Sequence, residues 1–184
     1  MIDQCHRLAN ALGTNLSAFC TTLLIVAPVQ AANLWQLGDE FIDDRGARIQ
    51  LRQLAGSMVV VSMEYTECRF VCTINWRKLT EIQDEADRRK LPVQFVILSL
   101  DPTNDTPEAW REYRKARGLK RENWHFVTGN RLATDRVVGT LGVSWWQYDG
   151  HIMHDLRILR LDEKGRVRSV IDGYDQPVSV LLSD

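Results

Sequence analysis

Cys68 and Cys72 stand four residues apart, between the apolar run Met58-Val-Val-Val-Ser-Met63 and a stretch with helical spacing. Thiols placed where a strand passes into a helix meet free backbone N–H groups and the positive end of the helix dipole, both of which favour the thiolate. Arg69, between them, adds a positive charge. On an ideal helix a spacing of four sets the β-carbons about 5–6 Å apart, wider than the roughly 3.5–4.5 Å of a disulfide. A modest local distortion would therefore let them bond. The same separation lets two sulfurs reach one metal ion at about 2.3 Å each. Three readings stand on spacing alone: a structural disulfide, a redox pair and a metal-binding thiolate pair. A bridge across so short a loop restricts the unfolded chain little, which counts against the purely structural one.

Other soft or titratable side chains offer donors for the same chemistry. His154 precedes an alternating strand, from whose edge an imidazole can turn toward the cysteine loop. His151 is the alternative, otherwise read as a solvated loop histidine. His125 falls inside a short strand and His6 near the N-terminus, so neither is a candidate. Met63 and Met153 are soft donors but read as packing residues. Asp101 and Asp105 follow a strand's carboxyl end, where sites on open α/β sheets gather, although turn-forming and capping carboxylates are the plainer reading. Trp145-Trp146-Gln147-Tyr148 reads equally as a docking surface for a partner protein or as core packing.

The elements that must position these residues alternate along the chain. Phe41 to Leu51, with Asp44-Arg45-Gly46 at its centre, reads as a hairpin. Met58–Met63 and Val93–Leu100 are apolar and free of turn residues, as strands buried on both faces require. Apolar positions at Cys72, Trp76, Leu79, Ile82 and Ala86 predict a helix over 68–90, closed by Arg88-Arg89-Lys90 and Pro92. Thr106-Pro107-Glu108 starts a second helix that should stop at Gly118. A short strand at 124–127, a helix at 131–138, and a hairpin of 156–161 with 167–171 about Asp162-Glu-Lys-Gly165 complete the order. This order predicts an α/β fold with a mixed central sheet flanked by helices.

With 184 residues, the chain suits a single domain, placed at 32–184. Its 23 basic and 24 acidic residues nearly cancel, so it lacks the basic field that would neutralise many phosphates, and nucleic acid is excluded as a partner. Residues 1–31 differ from the rest: an uncharged apolar run from Leu16 to Val29 ends in Ala31-Ala32, a secretory signal pattern. Cleavage after Ala31 is expected, with a retained N-terminal membrane anchor as the alternative, and Cys5 and Cys20 would leave with the signal.

The chain resembles the Sco (Sco1/SenC) family of the thioredoxin superfamily. The resemblance is carried in order by Tyr65-Thr66-Glu67-Cys68-Arg69-Phe70-Val71-Cys72, by Asp101-Pro102-Thr103-Asn104-Asp105-Thr106-Pro107-Glu108, by Phe126-Val127-Thr128-Gly129, and by His154 ahead of the Asp162-Glu-Lys-Gly165 turn. Arg69 and Thr73 replace the prolines that usually follow the cysteines, and Met153 replaces an aspartate before the histidine, with Asp155 following instead. The resemblance implies a thioredoxin-like fold and a copper site of Cys68, Cys72 and His154. It implies a metallochaperone, exported to the periplasm or anchored on the outer face of the inner membrane. Its partners would be other copper carriers and a cuproenzyme such as the copper-centre subunit of a respiratory oxidase. Soft thiolates suit Cu(I), an added imidazole makes Cu(II) tolerable, and zinc could use the same ligands. The competing expectation is a thiol-disulfide reductase using Cys68 and Cys72 as its catalytic pair. A peroxidase is a weaker third, since the P-x-x-x-T/S-x-x-C context is missing around Cys68.

Overall fold

The structure is a computed structural model that describes residues 33–68 and 71–183. The signal pattern, Cys5, Cys20, His6 and Arg69 lie outside the described residues. The elements are β1 (Phe41–Asp43), β2 (Arg48–Ile49), β3 (Met58–Glu64), α1 (Val71–Arg89), β4 (Val93–Ser99), α2 (Pro107–Ala116), β5 (Trp124–Thr128), α3 (Arg131–Leu141), β6 (Trp145–Tyr148), β7 (His151–His154), β8 (Ile158–Leu161) and β9 (Val167–Ile171). The seven-stranded sheet runs β2-β1-β5-β4-β3-β8-β9, and β6 with β7 forms a separate two-stranded ribbon. β3, β4 and β5 are parallel, whereas β1 and β8 join them antiparallel.

The two faces of this sheet explain the continuous apolar runs of β3 and β4. Val59, Val61, Met63, Val96 and Leu98 enter one core with Val137 and Leu141 of α3. Val60, Phe95 and Ile97 enter the other, with Leu79 and Ile82 of α1 and Trp110 of α2. Period-two alternation sends successive side chains to opposite faces, so a strand covered on both must be apolar throughout. The chain is thus a three-layer α/β domain, as the order of elements predicted.

Several boundaries differ from the sequence reading. α1 begins after Cys68, α3 continues three residues past Val138 to Leu141, and β8 starts at Ile158 rather than Leu156. α3 stops only where Gly142 takes a left-handed conformation. Every residue of β8 is buried, Arg160 included. The reason is the C-terminal segment: Arg160 Nη2 donates to the Ser183 carbonyl at 2.7 Å.

Gly165 closes that hairpin with φ of +75°, and the N-terminal segment packs directly over it. Leu34 N donates to the Gly165 carbonyl at 3.1 Å, and Trp35 Nε1 to the Glu163 carbonyl at 3.3 Å. A β-carbon on Gly165 would lie 2.5 Å from the Trp35 ring and 2.6 Å from Asn33 Oδ1. Gly165→Ala is therefore expected to cost about 1–3 kcal/mol, combining backbone strain with loss of this strap. A urea titration checks this, and an unchanged midpoint would refute it.

Candidate metal centre

The parallel strand β3 delivers the chain to the sheet's carboxyl edge at Glu64, where it leaves as the turn Tyr65-Thr66-Glu67-Cys68. Cys68 N donates to the Tyr65 carbonyl at 3.2 Å. Asp105 clamps this turn from the neighbouring β4–α2 loop. Its Oδ1 accepts from Thr66 N at 2.8 Å and Thr66 Oγ1 at 2.7 Å, and its Oδ2 from Ser99 Oγ at 2.6 Å. Burial pushes the Asp105 carboxyl up, while these three bonds hold it down. Asp101 does the expected turn work, its carbonyl accepting from Asp105 N at 2.9 Å and its Oδ2 from Asn104 Nδ2 at 2.8 Å. The plainer reading of both aspartates holds, but Asp105 also fixes the loop that carries Cys68.

Cys68 and Cys72 are joined in a disulfide with Cα atoms 5.9 Å apart. Cys68 precedes the helix and Cys72 lies in its first turn, so helical spacing does not constrain the pair. Cys68 is half-buried and Cys72 is 1% exposed.

Below the pair, Glu64 is fully buried. Asn75, one turn beyond Cys72, donates from Nδ2 to Glu64 Oε1 at 2.6 Å and to Ser62 Oγ at 2.9 Å. The Tyr113 hydroxyl donates to Glu64 Oε2. Burial pushes the Glu64 carboxyl from its ordinary 4.5 up to about 7, against the pull of Tyr113, Arg117 and Asn75. Between those pH values the folded chain holds a proton that the unfolded chain has lost, so stability falls as pH rises through this window. The loss should approach a magnitude on the order of 3 kcal/mol above pH 7. Urea titrations at pH 5 and pH 8 should show this fall in the parent chain and a flatter profile in Glu64→Gln. Parallel profiles would disprove the assignment.

His154 comes from the β6–β7 ribbon. Asp149 and Gly150 both have positive φ, 49° and 73°, the requirement of a two-residue hairpin turn. Ser144 N donates to Asp155 Oδ1 at 3.2 Å, and Asp155 N donates to the Ser144 carbonyl at 3.0 Å, which ties the base of the ribbon. His154 is 4% exposed, and its Nδ1 lies 2.9 Å from the Asp155 carbonyl. A carbonyl only accepts, so Nδ1 carries the proton and Nε2 keeps a lone pair. That Nε2 faces Cys72 Sγ at 4.0 Å. Burial holds the His154 pKa below the ordinary imidazole range, partly offset by the Asp155 carbonyl and carboxylate. The ring is thus neutral at neutral pH, the form that ligates metals.

The sulfurs of Cys68 and Cys72 and a His154 ring nitrogen all lie within 4.8 Å of one another. Once the disulfide is reduced, two thiolates and one imidazole are soft and borderline donors of the kind that hold copper or zinc. The remaining candidates lie elsewhere. His125 pairs with Gln94 Oε1 at 3.0 Å on β5, and Met63 is buried in the core. His151 is a half-buried strand residue rather than a loop histidine. The ribbon was absent from the sequence reading, although Asp149-Gly150 was its signal. The Glu64 network had no signal, because an acid ending an apolar strand looks like the first residue of a loop.

A strand-loop-helix cysteine pair on a mixed sheet, faced by a histidine from an inserted ribbon, defines a thioredoxin-like domain with a cysteine-cysteine-histidine group that could hold a metal ion. The family model described as SCO1/SenC matches residues 36–182, and the chain belongs to that family. It is 26% identical over 89 residues to the "SCO1 protein homolog" of Bacillus subtilis, a match covering 48% of this chain and 46% of that one. The chain thus aligns with about half the length of that curated relative. Two solved structures share the fold. Arabidopsis thaliana ScoI with copper bound has a TM-score of 0.68 and 21% identity, covering 78% of this chain and 90% of that one. BsSco, described with a disulfide switch and as a member of the Sco family of cytochrome c oxidase assembly proteins, has a TM-score of 0.69 and 19% identity, covering 83% and 92%.

Proposed function

We propose that this chain binds one copper ion through Cys68 Sγ, Cys72 Sγ and His154 Nε2 and delivers it to an exported cuproenzyme, such as the copper-centre subunit of a respiratory oxidase. The observation that carries the reading is the convergence of the three donors within 4.8 Å. The tautomer of His154 supports it, since Nε2 is the unprotonated nitrogen and faces the sulfurs. The copper-bound Arabidopsis relative and the oxidase-assembly description of BsSco support copper as the cargo and an oxidase as the partner class. Binding requires that a dithiol reductant first convert the disulfide to two thiols, itself becoming a disulfide and supplying the two electrons and two protons; the thiols then release their protons to the solvent as the sulfurs ligate. Release to an acceptor is favoured by the half-exposed position of Cys68. Export rests on the N-terminal signal pattern, with the domain held in the periplasm or at the outer face of the inner membrane. Among the described residues no helix is long and apolar enough to cross a membrane.

A second reading, a thiol-disulfide reductase that keeps a partner's metal-site cysteines reduced, is favoured by the asymmetric burial of the pair. An outer sulfur open to attack and an inner one kept from solvent suit mixed-disulfide exchange. Adding one equivalent of copper to reduced residues 32–184, removing the excess, and recording metal content with absorption and EPR spectra separates the two. Stoichiometric copper with sulfur-to-copper charge transfer is expected. Unretained copper beside rapid disulfide exchange would reject delivery in favour of the reductase.

A further inference from the structure

The ribbon that brings His154 inward carries two more soft donors on its other face. Along β7, Ile152 and His154 are buried, at 8% and 4% exposure, while His151 and Met153 are half-buried on the opposite side. A strand places residues i and i+2 on one face about 6.5–7 Å apart. A nitrogen–metal bond of about 2.0–2.1 Å and a sulfur–metal bond near 2.3 Å, with the three rotatable bonds of methionine, can close that distance. The register with β6 adds aromatic walls, since Trp146 pairs with Met153 and Tyr148 with His151. Directly opposed side chains share a face, with β-carbons about 4.5–5.5 Å apart. Trp146 and Tyr148 are 51% and 69% exposed, so solvent reaches the aromatic walls of this face.

We propose that His151 and Met153 form a second soft-metal site, an acquisition site for Cu(I) on the outer face of the ribbon, with the Trp146 indole against the ion. Thioether and imidazole together favour Cu(I) and its analogue Ag(I) over hard divalent ions. An indole face attracts a partly desolvated cation. The site needs neither cysteine, so it can hold Cu(I) while Cys68 and Cys72 are joined. It is one residue along the strand from His154, on the other side of the pleat. The proposal stands independently of copper binding at the cysteine centre.

The test uses the full chain with the Cys68–Cys72 disulfide closed, Cys5 and Cys20 alkylated and the methionine methyl groups carbon-13 labelled, titrated with silver nitrate in chloride-free buffer. The Met153 methyl resonance, assigned by its loss in Met153→Leu, should shift and saturate at one equivalent, with quenching of indole fluorescence. Met153→Leu and His151→Asn should each weaken silver binding on the order of tenfold or more, with circular dichroism unchanged as the control for folding. His154→Ala should leave it within about twofold, because that ring faces the opposite side. Trp146→Phe should retain the methyl shift and lose the quench. An unmoved Met153 methyl, a shift indifferent to His151→Asn, a quench that persists in Trp146→Phe, or loss of binding in His154→Ala would each overturn the proposal. None of these outcomes depends on the reduced cysteine centre.

Discussion

Cys72→Ser should abolish copper retention by the reduced domain, and His154→Ala should abolish Cu(II) retention while sparing disulfide exchange. Cys72 is the donor nearest His154 Nε2, at 4.0 Å. A serine there is a hard, protonated oxygen, a poor ligand for a soft ion, so affinity should fall on the order of a hundredfold or more. The sulfur-to-copper absorption should vanish with it. His154→Ala leaves both sulfurs in place, and thiolates alone can still hold Cu(I). Without the imidazole the Cu(II) EPR signal of a bound centre should disappear. Exchange with a small disulfide should stay within about twofold of the parent rate, since attack depends on the thiolate and its access. A copper-loaded His154→Ala protein with an unchanged EPR spectrum would remove His154 from the ligand set. Loss of exchange along with copper would show that the histidine acts on the thiols themselves.

Asp105→Ala should lower unfolding free energy by about 3 kcal/mol, because it strips partners from Thr66 N, Thr66 Oγ1 and Ser99 Oγ in a buried site. For a domain of this size that is a fall in melting temperature of roughly 6–12 °C. Asp105→Asn keeps an acceptor for Thr66 and should cost about 1 kcal/mol. The pair of variants also tests the link to the metal centre. Thr66 lies two residues before Cys68, so releasing it should weaken copper binding about tenfold in Asp105→Ala. Thermal unfolding and copper competition on the two variants check both claims. Equal stabilities would mean that the carboxylate clamp is not what holds the loop.

Much of the scaffold was legible because its signals are local. Thr106 caps α2 through its side chain, accepting from Ala109 N at 3.2 Å, with Pro107 at the first helical position. Gly46 and Gly165 have positive φ at the turns where the sequence placed hairpins. The apolar runs of β3 and β4 announced strands buried on both faces. The ribbon was overlooked because Trp145-Trp146-Gln147-Tyr148 does not alternate in hydrophobicity. Its turn signal, Asp149-Gly150, outweighs composition there, since both residues must accept positive φ. The burial of Arg160 has no local signal either, because it depends on the C-terminal segment that covers β8.

The residue types of the centre, two cysteines at a strand-to-helix junction and a histidine ahead of a hairpin, came from the sequence alone, as did the resemblance that grouped them. Only the tertiary structure decided that they meet. Cys72 and His154 are 82 positions apart, and their approach depends on a ribbon whose base is tied by Asp155 and Ser144. The tautomer of His154, the clamp of Asp105 on Thr66 and the burial of Glu64 against Asn75 and Tyr113 are likewise products of the fold. Each depends on which polar atoms share a volume from which water is excluded, and residue order does not contain that distance or that burial until the sheet has brought the segments together.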